Sequence, residues 1–242
     1  MIDLNSKTLM PDRLNHEIDK ALQAENAKQP LRNYLGASGV GAECERQIQY
    51  GYYHTPKDEG KDFPGRILRI FERGHQMEDN LARWMRLGGC ELQTADDEGK
   101  QFGFEAGILK GHCDGIITGG PDCFGPFPRL WESKCIGDKY WKALVKSNLR
   151  KERPVYYAQC QIYMHYFGLM EYPALFSAIN ANDMQVYWES IEYDPEYFKM
   201  LEIKIQRIID ASQNSEILPR YRNDPTYFSC KWCDWYERCF GL

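Results

Sequence analysis

The chain has 242 residues, 43% of them hydrophobic and 27% charged, with 30 basic against 35 acidic side chains and a formal net charge of −5. That is enough chain to bury a core in one large domain of ordinary globular composition. No apolar run approaches the roughly 18 residues of a membrane span, and the acidic balance excludes a protein that gathers polyanions by bulk charge.

Met1-Ile2-Asp3-Leu4-Asn5 lacks a basic region followed by an apolar one, so no signal peptide is expected and the expected location is the cytoplasm. Residues 11–28 read as a polar helix, 31–41 as loop, and 44–53 as a short helix. Pro56, Gly60, Pro64 and Gly65 among charges mark 54–65 as loop. Residues 67–87 are the clearest helix: Ile67, Phe71, Gly74, Leu81 and Met85 recur at helical spacing, and Glu78 falls on the same stripe. A carboxylate facing a core is costly unless something neutralises it, and a metal would.

From 90 to 135 the pattern turns to short strands punctuated by glycine, expected as a β-meander, with strands at 109–117 and 130–135. Helices are expected at 138–149, 154–167 and 195–213. A strand pair at 173–180 and 184–193 turns at Asn180-Ala181-Asn182-Asp183.

The nine cysteines, in a chain expected to be cytoplasmic, point to thiols or metal ligands and away from disulfides. Cys90, Cys113, Cys123, Cys135 and Cys160 are expected to be buried thiols. Cys230-x2-Cys233-x5-Cys239 is different: three cysteines in ten residues suit a metal ion or a cluster that needs one more ligand, with zinc and iron–sulfur both open. A second feature is local charge. Residues 129–153 hold eight basic and three acidic side chains, so Lys139, Lys142, Lys146, Arg150 and Lys151 are candidates to face phosphates, against the alternative of a solvated helix face.

In a strand, residues two apart share a face, so Glu132 and Lys134 project together while Trp131, Ser133 and Cys135 face the other way. A carboxylate beside an ammonium suits phosphodiester hydrolysis, the carboxylate holding Mg²⁺ or Mn²⁺ and the lysine positioning or helping to deprotonate water. Asp114 and Glu78 would complete the metal shell. An isolated Glu-x-Lys more often makes a surface ion pair.

Taken in order, Gly74-x3-Glu78, Gly111-His112-Cys113-Asp114-Gly115, Trp131-Glu132-Ser133-Lys134 and Gln159-x3-Tyr163 resemble the PD-(D/E)xK nuclease superfamily, in its RecB-like branch. The likeness runs over roughly residues 35–240 in motif order. It implies an α/β fold with a restriction-endonuclease-like core, a central mixed sheet flanked by helices. It implies a metal-dependent DNA exonuclease in which Glu78, Asp114 and Glu132 bind Mg²⁺ or Mn²⁺, Lys134 assists, and Gln159 and Tyr163 orient the lysine or touch the DNA backbone. Many members carry histidine where this chain has Glu78, and the glutamate form is more like phage recombination exonucleases. His75, one turn away, is an auxiliary metal-ligand candidate, and His112 an outer one.

Cys44-Glu45-Arg46 and the C-terminal cysteines resemble the iron–sulfur members, among them CRISPR-adaptation nucleases. By that resemblance Cys44, Cys230, Cys233 and Cys239 hold a [4Fe–4S] cluster, with zinc as the rival. The implied layout is a single nuclease domain over 1–242, with a catalytic core at 66–193 and an iron–sulfur subdomain made from 31–55 and 214–242. DNA is the implied partner, with room for a homo-oligomer or for a recombination or CRISPR-adaptation protein, and no membrane. If the gene is phage-borne, the location is the host cytoplasm. Two other readings stay open: a non-catalytic DNA-binding adaptor on a nuclease fold, and a zinc-stapled interaction module.

Overall fold

The computed structural model describes residues 9–242, so the N-terminal pentapeptide read above lies outside the described residues. Helix α1 (Leu9–Asn26), strand β1 (Leu35–Gly36) and helices α2 (Glu45–Tyr52) and α3 (Gly65–Leu87) lead into four short strands: β2 (Glu91–Gln93), β3 (Gly103–Ala106), β4 (Leu109–His112) and β5 (Gly115–Gly119). The long strand β6 (Arg129–Ile136) is followed by α4 (Asp138–Lys146), the single turn α5 (Leu149–Glu152) and α6 (Pro154–Tyr166). A hairpin of β7 (Ala174–Asn180) and β8 (Val186–Ile191) precedes α7 (Pro195–Gln213) and two short helices, α8 (Phe228–Lys231) and α9 (Tyr236–Phe240). Among the described residues, no helix is long and apolar enough to cross a membrane.

The main sheet has the order β2-β5-β6-β7-β8 and is mixed: β6 and β7 run parallel, and the other neighbours antiparallel. Parallel pairing needs a long crossover, and α4 to α6 provide it. Register runs from Trp131 opposite Leu175 to Ile136 opposite Asn180.

The expected meander does not form. Strands β3 and β4 leave the main sheet and pair with β1 in a separate three-stranded sheet, order β1-β4-β3. The strand expected over 109–117 therefore breaks at Cys113-Asp114, where the chain passes from one sheet to the other. Both halves alternate like strand, so sequence pattern alone could not reveal the break. The loop expected at 31–41 contributes β1, and the helix expected at 138–149 stops at Lys146. Asn148 then caps α5, its Oδ1 accepting from the Lys151 backbone N–H at 2.9 Å.

Two apolar layers sandwich the main sheet, and strand alternation assigns each side chain to one of them. Trp131, Leu175 and Ile179 join Leu81, Ala82 and Met85 of α3. Leu130, Phe176 and Ala178 face the larger core built from α4 to α7 and the small sheet. The stripe expected on α3 is buried only in its second half: Leu81 and Met85 are inside, whereas Phe71 is 44% exposed and packs edge-on against Phe63.

Candidate active site

Strand β6 carries Glu132 and Lys134 on one face, as its two-residue period requires. Glu132 is fully buried. Its Oε1 accepts from Lys134 Nζ and, at 2.6 Å, from Gln159 Nε2 of α6. Its Oε2 is buried with no hydrogen-bond partner. Lys134 Nζ also donates to the Ser133 carbonyl at 2.9 Å and stands 3.7 Å from Asp114 Oδ2. Asp114 sits at the joint between β4 and β5, where its Oδ2 accepts the Ser133 backbone N–H at 2.7 Å. The sheet-to-sheet crossing thus places a carboxylate over the middle of β6.

One turn along α6 from Gln159 lies Tyr163, 2% exposed, beneath β4. Gly111 makes room for it, since a Cβ there would come within 2.7 Å of the Tyr163 ring and equally close to Phe104.

Burial, then repulsion from Asp114, pushes the Glu78 pKa up to about 7. Burial pushes Glu132 well above the usual carboxylate range, Asp114 adds to this, and Lys134 opposes it. For Lys134, burial works against the charge, but the carboxylates of Glu132 and Asp114 outweigh it and hold the ammonium protonated. Three carboxyl groups share one lysine, two of them pushed toward their neutral forms for want of positive charge, and the bare Glu132 Oε2 is an unused ligand atom. This donor set fits a divalent cation with hard oxygen ligands. Among the described residues, no three His, Cys, Asp or Glu side chains are already drawn together as a metal-ion shell.

His75 is exposed on α3, and His112 is exposed beside Gly103; no hydrogen bond joins either to the carboxylates. Of the basic side chains singled out, Lys142 pairs with Asp138 at 2.7 Å and Arg150 with Asp194 at 3.0 Å, so two of the five are neutralised locally. Lys139, Lys146 and Lys151 are exposed and enter no ion pair among the described residues.

Cys90, Cys113 and Cys160 are buried and Cys135 is half-buried. Cys123 is exposed, correcting the expectation for it, because it lies in a short surface turn at 122–124.

Cys44, Cys230, Cys233 and Cys239 line one cavity of about 320 Å³, with Arg220, Arg222 and Tyr236 among its other walls. Arg46 Nη1 donates to Cys239 Sγ at 3.5 Å. Four thiols around one space are the donor set of a thiolate-bound metal group.

The chain ends are also joined without any metal, which sequence reasoning missed. The buried Gln49 donates to Glu216 O at 2.7 Å and accepts from Leu218 N at 2.9 Å, and Trp235 Nε1 donates to Thr55 O at 2.8 Å. A lone glutamine in a short helix carries no signal of such a role. Arg73 was missed as well. It contacts Cys135 from α3, and its Nε is buried without a partner.

No protein-family model matches the chain, and no curated protein does. Among solved structures, an alkaline exonuclease (LHK-Exo) from Laribacter hongkongensis aligns with TM-score 0.54 at 16% identity, over 81% of this chain and 93% of its own. The likeness is one of fold. LHK-Exo in complex with dAMP aligns over 83% of this chain and 93% of that one, at 16% identity and TM-score 0.52. A phage-related exonuclease from Haemophilus somnus, at TM-score 0.44 and 16% identity over 70% and 78% of the two chains, is too distant to argue from.

Proposed function

We propose that this chain is a metal-dependent DNA exonuclease. The observation that carries the reading is the fully buried Glu132, fixed through one oxygen by Gln159 and Lys134 and bare at the other, beside Asp114 and Glu78. A surface ion pair of the Glu-x-Lys type would be exposed and would need no buried amide to hold its carboxylate. The fold shared with LHK-Exo supports the same reading, and DNA is the substrate it favours.

Glu78, Asp114 and Glu132 would hold Mg²⁺ or Mn²⁺, which when bound supplies water activation and charge neutralisation at phosphate. The protein's own groups divide the remaining work. Gln159 fixes the rotamer of Glu132. The Ser133 amide holds Asp114 in place. Lys134, whose charged form is favoured by Glu132 and Asp114, would donate hydrogen bonds to water or to a phosphoryl oxygen and offset charge there. Tyr163, its hydroxyl held protonated chiefly by burial and next by Glu132, stays neutral beside Gln159.

The thiols of Cys44, Cys230, Cys233 and Cys239 are proposed to hold a [4Fe–4S] cluster, with zinc as the alternative occupant. What supports this is a shared cavity whose lining includes all four side chains. Bound there, such a group would cross-link residue 44 to the last ten residues and act structurally.

Degradation of end-labelled DNA with Mn²⁺ tests the first proposal. Lys134→Ala and Asp114→Ala should each abolish it in folded protein, and retained activity in both would overturn the assignment. Iron, sulfide and zinc content after oxygen-free purification tests the second, and metal-free, colourless protein would overturn it.

A further inference from the structure

We infer that the aromatic and basic residues at the C-terminal end of β6 form a stacking lane for unpaired nucleotides, so that the site takes a single-stranded DNA end. The inference rests on the nuclease reading of Lys134 and names the form of substrate that site admits.

The lane begins at Lys134, whose Nζ lies 5.5 Å from the centre of the Tyr156 ring. Tyr156 is anchored on its inner side by the Phe176 ring, 6.4 Å away and 24° from parallel. One turn back, at the N-cap of α6, the Arg153 guanidinium lies 3.8 Å from the centre of the Tyr140 ring, and Lys139 Nζ lies 6.0 Å from the same ring. Tyr140 is 49% exposed on the first turn of α4, directly after the strand that carries Lys134.

Two physical points select the occupant. Lys142 and Arg150, the neighbouring cations, are bound to Asp138 and Asp194, whereas Lys139 and Arg153 have no carboxylate partner among the described residues. Their free charge is complementary to phosphate. Tyr156 is covered by Phe176 and Lys134, so it is Tyr140, 49% exposed with Arg153 over one face, that has ring surface left for a flat partner, and a base presents its face to a side chain only when it is unstacked from its own helix. Cations along a backbone track with interleaved aromatics are the physical basis of single-strand binding. A duplex, with its bases stacked inside, would gain from the cations but not from the rings.

The test is fluorescence anisotropy of a labelled oligo-dT and of a blunt hairpin duplex, both in EDTA so that no cleavage occurs. Tyr140→Ala should bind oligo-dT roughly tenfold more weakly, the loss of about one stacked base. Tyr140→Phe should bind like wild type, and duplex binding should be unchanged in both. Lys139→Ala/Arg153→Ala should lower the slope of log affinity against log salt on oligo-dT by roughly 1.4, at about 0.7 per phosphate contact. The inference is overturned if wild type does not bind oligo-dT, if Tyr140→Ala binds it normally, or if Tyr140→Ala weakens both DNAs alike. Because binding is read without cleavage, failure of the nuclease assignment would show separately, in the Lys134→Ala degradation assay.

Discussion

Glu78→Gln should show how much the raised pKa of this carboxyl costs the folded chain. Burial and the nearby Asp114 raise its pKa from 4.5 to about 7. Between those two pH values the unfolded chain releases this proton while the native state keeps it, so stability falls as pH rises through the window. Each pH unit is worth about 1.4 kcal/mol, and with solvent screening at this partly exposed carboxyl the penalty above neutrality is about 1–3 kcal/mol. Glutamine keeps the shape and never ionises. In EDTA at pH 8, Glu78→Gln should therefore be the more stable protein by about 1–3 kcal/mol, or roughly 2–12 °C in melting temperature for a chain of this size. At pH 4, where glutamate is protonated in both states, the two should melt together. The measurement is circular dichroism melting from pH 4 to pH 8.5. Added Mn²⁺ should stabilise wild type and do less for the variant, which should also be inactive. A stability gap that does not change with pH, or a variant that melts below wild type at pH 8 in EDTA, would refute the electrostatic account of this site.

Gln159→Leu removes the buried donor to Glu132 and should cost about 2 kcal/mol in urea denaturation, since hydrogen bonds to charged groups carry about 1.5–3 kcal/mol; unchanged stability would mean that Lys134 alone fixes the carboxylate. Gln49→Leu loses two buried bonds to the segment at 216–218 and should cost about 1–3 kcal/mol. Limited proteolysis should then cut within 214–242 sooner than in wild type, and an unchanged pattern would assign the clasp elsewhere. Gly111→Ala forces a methyl against Tyr163 and Phe104 and should destabilise by about 1–3 kcal/mol, with activity falling alongside; wild-type melting would show that the rings can yield.

Much of the site was readable because local rules govern it. Strand alternation put Glu132 and Lys134 on one face, and helical spacing put Gln159 and Tyr163 on another. These are consequences of backbone geometry that hold in any fold. Other readings failed where neighbours distant in sequence decide. Alternation over 109–117 is the same whether the residues form one strand or two, so the break at Cys113-Asp114 was invisible. For the basic segment, sequence shows the charges but not their distant partners: Asp194 lies 44 residues from Arg150 in sequence, and the two form an ion pair. Cys123 was expected inside because its neighbours are apolar, but it lies in an exposed turn.

By itself, then, the sequence determined the longer helices and strands, the face on which Glu132 and Lys134 lie together, and the residue types available for a carboxylate–lysine group and a four-thiol group. Tertiary structure alone decided that Asp114 reaches Lys134 by crossing between two sheets, that Glu132 is buried with one oxygen bare, and that the thiols from both chain ends share a cavity already clasped by Gln49. Backbone periodicity is set within a few residues. Burial, desolvation and ion pairing depend on which distant segments pack together, and only the folded chain specifies that.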